Sequence, residues 1–567
     1  MCMKLNILRS GILLLFIIKI LLQVNKEILD RNFFRIDDIL NTVLLIGIFY
    51  FIYIKKDTLI DINIQSNDRL IAFTLISTIL IFVVQTISNL PYSFVHSDNI
   101  ISSLTVNRMM GLSLNVYDST WNEHTTLLIY VENLLIQLLN FLGFSNGLYT
   151  YFALFLIFSV IWSLVLVKVL SFYTNSLEAS YIVASIFFLD LVASGNRVIR
   201  FDTRFLGSFL LLLFLFSFLS FSKNGKKSYL HFCVILGTLA IFNLESYAIT
   251  IFLFFLTYLY ITKPSFFSVL KLFLTFLISA GSIVLFHFQT GQLSELWNLN
   301  ILFHLNSSRN EGVNILHAIS GVEFFPGINV YIMLFFMWVV YVFKNRNFHK
   351  KVEILILNVY ILGEILHLLL SGPRWIAYGQ IMRVPLMIVL CVFIDHYLEL
   401  TGIKGNFDKL KNSSIVLALL PFIIVTFIGG PYAFERKVDR EQNILQSIES
   451  RNEVVGEISK YSNSKSYFLW TENKNWSWLF IEADFVPATR MWLWLQAYEE
   501  KKPYFSWNDR WGLQVIQKYW LEDIRNENTN IFVVDSNYIS LPDFVDKYII
   551  NNTEFVKCVK NFCIYKK

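Results

Sequence analysis

Charged residues are scarce in this sequence: they make up 16% of its 567 residues, whereas hydrophobic residues make up 55%. A soluble domain could not bury that much apolar surface, and a disordered chain or a nucleic-acid binder would carry more charge. The five cysteines show no CxxC or Cys/His metal spacing. The sequence also has no Gly-rich phosphate loop, HExxH motif or Walker lysine. It therefore indicates a multi-pass membrane protein whose partners include membrane lipids and not nucleic acid, and it does not support nucleotide-driven transport.

Apolar runs of about 16–23 residues recur through the first 430 residues, and this is the length that a helix needs to cross a bilayer. We predict an α-helical multi-pass membrane domain over 1–430 with about 13 transmembrane helices. The predicted spans are 6–23, 39–54, 70–88, 149–170, 178–194, 205–222, 229–244, 247–262, 269–287, 328–343, 352–371, 376–398 and 414–430.

The basic residues between these spans set the expected orientation. They gather in loops on one side of the membrane, which the positive-inside rule makes cytoplasmic. These loops lie at 55–56, 223–227, 344–351 and 404–411. The amino terminus is then cytoplasmic, and two long loops, 89–148 and 288–327, lie outside. Because the number of spans is odd, the carboxyl terminus is also outside. The Lys-, Asn- and Ile-rich composition indicates a bacterial inner-membrane protein.

Residues 431–567 are richer in charge and tryptophan than the preceding chain. Short β-like runs at 466–470, 531–534, 555–559 and 562–565 alternate with helical patterns at 436–458 and 512–524. This pattern predicts a small extracytoplasmic α/β domain. Within it, Cys558 and Cys563 would face each other across a turn at Lys560-Asn561, as a disulfide or as two free thiols.

The outer loop 89–148 contains the first candidate for catalysis. Asp98 stands just beyond the predicted third span, where a carboxylate could reach both a lipid head group and an aqueous acceptor. As a general base it would remove the proton from an acceptor hydroxyl. The alternative is a helix cap or a solvated aspartate.

Arginines on the outer side break the positive-inside pattern. Arg200, with Asp202 close behind it, precedes the sixth span, and guanidinium groups bind phosphate in a forked geometry. Local ion pairing with Asp202 is the alternative. Arg374 precedes the twelfth span, and Arg383 lies inside it. A charged group within a span usually faces a cavity or a partner, so Arg383 is either a phosphate ligand or an ion-pair partner for Glu364.

Taken together, these segments resemble the GT-C glycosyltransferases, a superfamily that includes protein O-mannosyltransferases and the bacterial aminoarabinose transferase. The resemblance rests on the following residues: Asp98-Asn99, Gly111, Tyr117, Asp118, Trp121, His124-Thr125-Thr126-Leu127, Arg200-x-Asp202, Pro373-Arg374-Trp375 and Pro385. Asn99 and Thr125-Thr126 depart from the family's second acid and its Pro-Pro pair, which leaves the substrate and any metal requirement open.

The resemblance implies a polyprenyl-phosphate sugar donor and inversion at the anomeric carbon. Asp98 would be the general base, and Asp202 a second acidic catalytic-site residue that helps to orient the acceptor or the base. The implied substrate-binding residues are Arg200, Tyr117, His124, Glu245, Arg374 and Arg383. The acceptor is a glycan, a lipid or a protein, and no cofactor is expected; the sequence supports no metal site.

Three other functions remain open. A glycan polymerase or ligase of the related branch would need a larger late outer loop than 288–327. A transporter or flippase of lipid-linked glycans would favour an internal repeat, which the sequence does not show. In a structural or sensory membrane protein, Asp98 and Asp202 would be dispensable.

Overall fold

A computed structural model of the chain describes somewhat less than half of its residues. They are residues 106, 108–110, 114, 127–142, 158, 161–174, 179–180, 183–184, 187, 203–243, 247–297, 335, 337–342, 351–371, 383–400, 453–461, 466–470, 486–489, 509–526, 529–536, 541 and 543–567.

Seven apolar helices are described within residues 1–430, and the first of them lies inside the predicted outer loop 89–148. They are α1 (Leu127–Phe141), α2 (Thr203–Asn224), α3 (Lys227–Asn243), α4 (Tyr247–Thr262), α5 (Phe266–Gln289), α6 (Val352–Ser371) and α7 (Arg383–Leu400). Residues 161–170 and 337–342 are also helical, and a helical turn, Leu293–Glu295, follows α5. Among the described helices, two, Phe205–Asn224 and Phe266–Gln289, are long and apolar enough to cross a membrane.

The observed helices agree with several predicted spans. α4 and α6 coincide with the runs 247–262 and 352–371, and α2, α3 and α5 differ from their runs by at most three residues at either end. The predicted spans at 6–23, 39–54, 70–88 and 414–430 lie outside the described residues. The total of thirteen spans therefore stays a prediction.

Local sequence explains where neighbouring helices end. Gly225 separates α2 from α3 and has a φ of 66°, a left-handed conformation that glycine adopts without a steric penalty. Its amide donates a hydrogen bond to the Phe221 carbonyl at 2.7 Å, which closes the last turn of α2. At the start of α5, Ser265 caps the helix by accepting a hydrogen bond from the Ser268 amide.

The surface of α5 is consistent with contact to lipid. Large apolar side chains such as Phe267, Phe273 and Ile278 are exposed along it. By contrast, α2 is largely enclosed by other helices. An exposed apolar stripe of this length would be unfavourable in water, whereas it is the expected surface of a membrane helix. The protein is a membrane protein with apolar helices.

The C-terminal part contains a five-stranded mixed sheet. Its strands are β1 (Ser466–Trp470), β2 (Val486–Pro487), β3 (Ile531–Asp535), β4 (Glu554–Val559) and β5 (Phe562–Lys566), and their order in space is β2-β1-β3-β5-β4. β1 is parallel to β2 and β3, whereas β5 is antiparallel to β3 and β4. Helices α8 (Asp509–Asn526) and α9 (Asp543–Asn552) precede and follow β3.

Side chains on the sheet alternate between two different environments, as the pleat of a strand requires. On one face, Ile531, Val533 and Ile564 belong to the same continuous hydrophobic cluster as the membrane helices. On the other face, Phe468 and Phe532 form aromatic contacts with helices: Phe468 meets Trp520 of α8 at 5.5 Å, and Phe532 meets Tyr548 of α9 at 5.9 Å between ring centroids.

The predicted strands are confirmed, with differences of at most one residue at each end, and the helix predicted at 512–524 lies within α8. Cys558 and Cys563 pair across the β4–β5 hairpin and form a disulfide, so the structure contains the bridge rather than two free thiols. Whether 431–567 form an independent extracytoplasmic domain stays a prediction.

Candidate functional site

Six buried polar side chains gather where four membrane helices begin or end. We call this group the helix-end cluster. It contains Ser208, Asn243, Tyr247, Thr250, Glu364 and His367. The cluster uses the start of α2, the end of α3, the start of α4 and the C-terminal half of α6. Buried polar groups are expensive within apolar helices, so their concentration at one level marks the strongest candidate site among the described residues.

Tyr247 connects three of these helices. Its hydroxyl shares a hydrogen bond of 3.1 Å with the Ser208 hydroxyl of α2. Its ring meets the His367 imidazole of α6 edge to face, at 4.7 Å between centroids. A side chain at Gly207 would collide with the Tyr247 ring, and its Cβ would lie 2.9 Å from Nδ2 of Asn243. Glycine at 207 is therefore required for α2 to approach α3 and α4 this closely.

Glu364 is the fully buried acid of the cluster. The Thr250 hydroxyl of α4 donates a hydrogen bond of 3.2 Å to its Oε1, and Oε2 lies 4.0 Å from Nδ1 of His367. This second distance is too long for a hydrogen bond, so the two groups interact through charge when the imidazole is protonated. Oε2 accepts no hydrogen bond from a described residue. Among the described side chains, the partners of Glu364 are thus Thr250 and His367. The side chain of Arg383 lies outside the described part of the chain, so its pairing with Glu364 stays a prediction.

Glycine also permits the close approach of α4 and α6. A Cβ at Gly363 would lie 2.8 Å from Cγ2 and 3.0 Å from Cα of Thr250. The second contact is with backbone, which cannot rotate away. Gly363 thus brings α6 close enough for the adjacent Glu364 to accept the Thr250 hydrogen bond.

The residues predicted for the site fall mostly outside the described part of the chain. Arg383 is the first residue of α7. The remaining predicted residues, Asp98, Tyr117, His124, Arg200, Asp202, Glu245 and Arg374, lie outside the described residues. Along the chain, Asp202 immediately precedes α2, Glu245 lies between α3 and α4, and Arg374 follows the end of α6. These are the helix ends that build the cluster.

Sequence reasoning missed most of the cluster itself. Ser208, Asn243, Thr250 and His367 were not singled out, and Glu364 was considered only as a partner for Arg383. The usable signal was the presence of His367 and Glu364 inside a long apolar run, since ionisable groups in a span usually face a cavity or a partner. Serine and threonine carry no such signal, because they occur throughout membrane helices.

No group of three or more His, Cys, Asp or Glu side chains among the described residues could hold a metal ion. The helix-end cluster offers one carboxyl group and one imidazole. It can therefore exchange protons and form hydrogen bonds, and it supplies fewer oxygen ligands than a hard cation such as Mg²⁺ prefers.

No family model and no curated protein matches the chain. Among solved structures, the chain is similar to apo ArnT from Cupriavidus metallidurans, with a TM-score of 0.52 and 9% identity. The likeness covers 86% of this chain and 97% of ArnT. The chain shares its fold with GT-C glycosyltransferases. The resemblance seen in the sequence is thus confirmed at the level of fold.

Two further GT-C structures are similar at lower scores. ArnT from Cupriavidus metallidurans bound to undecaprenyl phosphate has a TM-score of 0.49 at 10% identity, and the likeness covers 86% of this chain and 97% of ArnT. The apo oligosaccharyltransferase from Archaeoglobus fulgidus has a TM-score of 0.47 at 12% identity, covering 83% of this chain and 70% of the other. At these scores, neither adds to the argument from apo ArnT.

Proposed function

We propose that the protein is an integral-membrane glycosyltransferase that moves a sugar from a polyprenyl-phosphate donor to an acceptor on the outer face of the membrane, with inversion. The observation that carries this proposal is the GT-C fold shared with ArnT over most of both chains. A fold by itself does not define a reaction. The helix-end cluster adds a buried polar site inside that fold, at the helix ends from which the predicted substrate-binding residues extend.

The mechanism assigns each group a separate task. Asp98 removes the proton from an acceptor hydroxyl as the acceptor oxygen bonds to the anomeric carbon, and the bond from that carbon to the phosphate oxygen breaks. The electron pair leaves with the polyprenyl phosphate. Arg200, Arg374 and Arg383 bind this phosphate and stabilise the charge that develops on it. Asp202 orients the acceptor or the base.

The remaining predicted residues would contact the substrates. Tyr117 and His124 belong to the same outer loop as Asp98, and Glu245 lies between α3 and α4. Chain connectivity limits how far such residues can lie from the helix-end cluster, because consecutive Cα atoms are about 3.8 Å apart. Arg374, Asp202 and Glu245 follow or precede helix ends by only a few residues.

The proposed donor class rests on the proposed phosphate site and on the resemblance to GT-C glycosyltransferases seen in the sequence. A polyprenyl phosphate would place its chain in the lipid and its phosphate at the outer ends of the helices, where we propose the arginines. The acceptor is a glycan, a lipid or a protein, and surrounding membrane lipids are the other partners.

We also propose that the cluster and the C-terminal sheet lie on the outer side of a bacterial inner membrane, with a cytoplasmic amino terminus. Basic residues at 223–227 occupy the opposite ends of α2 and α3 from Ser208 and Asn243, as the positive-inside rule requires. The Cys558–Cys563 disulfide supports this orientation, since such bonds persist mainly outside the cytoplasm.

The first test is mass spectrometry of cell-envelope glycans from strains with matched protein levels. It compares wild type, a deletion, Asp98→Asn and a control acid-to-amide variant, Glu554→Gln, whose residue is exposed on β4. We expect the deletion and Asp98→Asn to lose the same sugar while Glu554→Gln keeps it. If only the deletion loses the sugar, Asp98 is not the base. If the deletion changes no glycan, the transferase proposal is wrong and a transporter or scaffold takes its place.

A further inference from the structure

One charged pair joins the outer loop to the C-terminal part of the chain. Arg108 is the single arginine of loop 89–148, which contains no lysine. Its side chain is 1% exposed, and its Nη2 lies 3.8 Å from Oδ2 of Asp523 on α8, whose side chain is 3% exposed. The two residues are far apart in sequence, so the contact exists only when the loop and α8 are packed together.

Apolar side chains enclose both partners. Val106 and Met109, on either side of Arg108, are buried in the hydrophobic cluster that also contains the membrane helices and one face of the C-terminal sheet. On α8, Trp520 and Ile524 flank Asp523 and are fully buried. Water is thereby kept from the ion pair, and each charge depends on its partners in the protein for solvation.

A pair in this environment acts mainly on specificity of packing. Removing two charges from water costs roughly as much as their attraction returns, so the net gain in stability is small. Separating the partners, however, removes from each buried charge an opposite charge that compensates it, which is unfavourable. The pair consequently penalises any arrangement in which the loop packs against α8 in a different register.

We propose that Arg108 and Asp523 are positioning residues that lock the outer loop onto α8 and thereby hold the loop that carries Asp98. The activity part of this inference rests on the proposed transferase function; the locking part does not. Neither residue needs to touch substrate. Asp98 precedes Arg108 within the same loop, so a fixed segment around Arg108 reduces the conformations open to the base.

The locking is tested by hydrogen exchange on the purified full-length protein in lipid nanodiscs. The variants are Arg108→Gln, Asp523→Asn, their combination, and Arg525→Gln as a control at an exposed position of α8. We expect each single variant to speed exchange in peptides covering residues 106–110 and α8. The double variant should exchange no faster than the faster single variant, because the first substitution has already abolished the interaction between the two charges.

Two outcomes of this exchange experiment would overturn the locking. One is unchanged exchange in both single variants; the other is a double variant whose effect equals the sum of the single effects. Peptides from α4 report whether a variant has lost its global fold, and if both single variants unfold, Arg108→Lys replaces Arg108→Gln in the comparison. Arg108→Lys keeps the charge, so we expect it to retain more protection than Arg108→Gln.

Activity is measured on the same variants with a polyprenyl-phosphate sugar as donor. We expect kcat to fall roughly 10- to 100-fold in each single variant while the KM for the donor stays within a few-fold, since a misplaced base slows the transfer step. Coupled exchange with wild-type activity would overturn the positioning role. Coupled exchange without transfer in any protein, wild type included, would refute the proposed function and leave the locking intact.

Discussion

Replacing Gly363 by alanine tests the contact between α4 and α6 on which the helix-end cluster depends. The added Cβ would lie 2.8 Å from Cγ2, 2.9 Å from Oγ1 and 3.0 Å from Cα of Thr250. Ordinary carbon–carbon contacts begin near 3.5 Å. Rotating the Thr250 side chain relieves the first two contacts but not the third, so the two helices must separate by several tenths of an ångström.

The cost of that separation follows from three contributions. Overpacking at a close helix contact costs about 1–3 kcal/mol. Loss of the Thr250 hydrogen bond leaves a buried oxygen of Glu364 without a donor, which costs a further 1–3 kcal/mol or so. The higher helix propensity of alanine returns about 1 kcal/mol. We expect a net destabilisation of roughly 1–5 kcal/mol.

Gly281→Ala is the matched control. Gly281 lies within α5, and a Cβ there would meet no atom within 4 Å. The same substitution should therefore leave stability unchanged or raise it by up to about 1 kcal/mol. Thermal unfolding of both variants in one detergent, followed by tryptophan fluorescence, measures the difference.

A third variant identifies the cause. Thr250→Ser in the Gly363→Ala background removes Cγ2, the nearest colliding atom, and keeps the hydroxyl that bonds Glu364. It should recover part of the lost stability. If Gly363→Ala unfolds at the same temperature as Gly281→Ala, α6 does not approach α4 through Gly363, and the reasoning about the cluster fails.

Two further predictions concern other hydrogen bonds. A hydrogen bond from Lys557, and a second from the lysine one turn further along the helix of Glu457, lower the pKa of Glu457 from 4.5 to about 2. The stability that the Glu457 carboxylate contributes is therefore complete above pH 4.5 and is lost as the pH falls through about 2. In thermal unfolding measured at a series of pH values, Glu457→Gln should remove this loss of stability in acid, whereas Glu453→Gln, at an exposed residue, should keep it. If wild type and Glu457→Gln are equally sensitive to acid, the two hydrogen bonds do not stabilise the protein. Tyr247→Phe should destabilise the protein by about 1 kcal/mol through the hydrogen bond to Ser208, and additivity with Ser208→Ala would contradict that bond.

Short strands and helix limits could be read from the sequence because their signals are local. The run Ser466-Tyr-Phe-Leu-Trp470 forms β1 with the same bounds, and the apolar runs at 247–262 and 352–371 form α4 and α6. Gly225 and Ser265 mark helix boundaries through backbone conformation and capping, which depend only on neighbouring residues. The resemblance to GT-C enzymes also came from the sequence, and the fold agrees with it.

Residue partners, by contrast, could not be obtained in this way. Glu364 was a candidate partner for Arg383 because both are charged groups near the same level of the membrane. That pairing stays a prediction, since the side chain of Arg383 lies outside the described part of the chain. The hydrogen bond that the structure shows joins Glu364 to Thr250, a residue without a net charge that no sequence signal distinguished. The choice depends on which faces of α4 and α6 meet, and apolar helices with weak amphipathicity leave that rotation undefined.

The sequence by itself determined that this is a membrane protein, where several of its helices and strands begin and end, and that its fold resembles that of GT-C glycosyltransferases. Those properties follow from hydrophobic length, periodicity and turn residues, all of which are local. Only the tertiary structure decided that Tyr247 contacts both α2 and α6, that α4 packs closely against α6 at Gly363, and that Arg108 forms an ion pair with Asp523. These contacts join residues distant in sequence, and they exist because packed helices must place each buried polar group beside a partner.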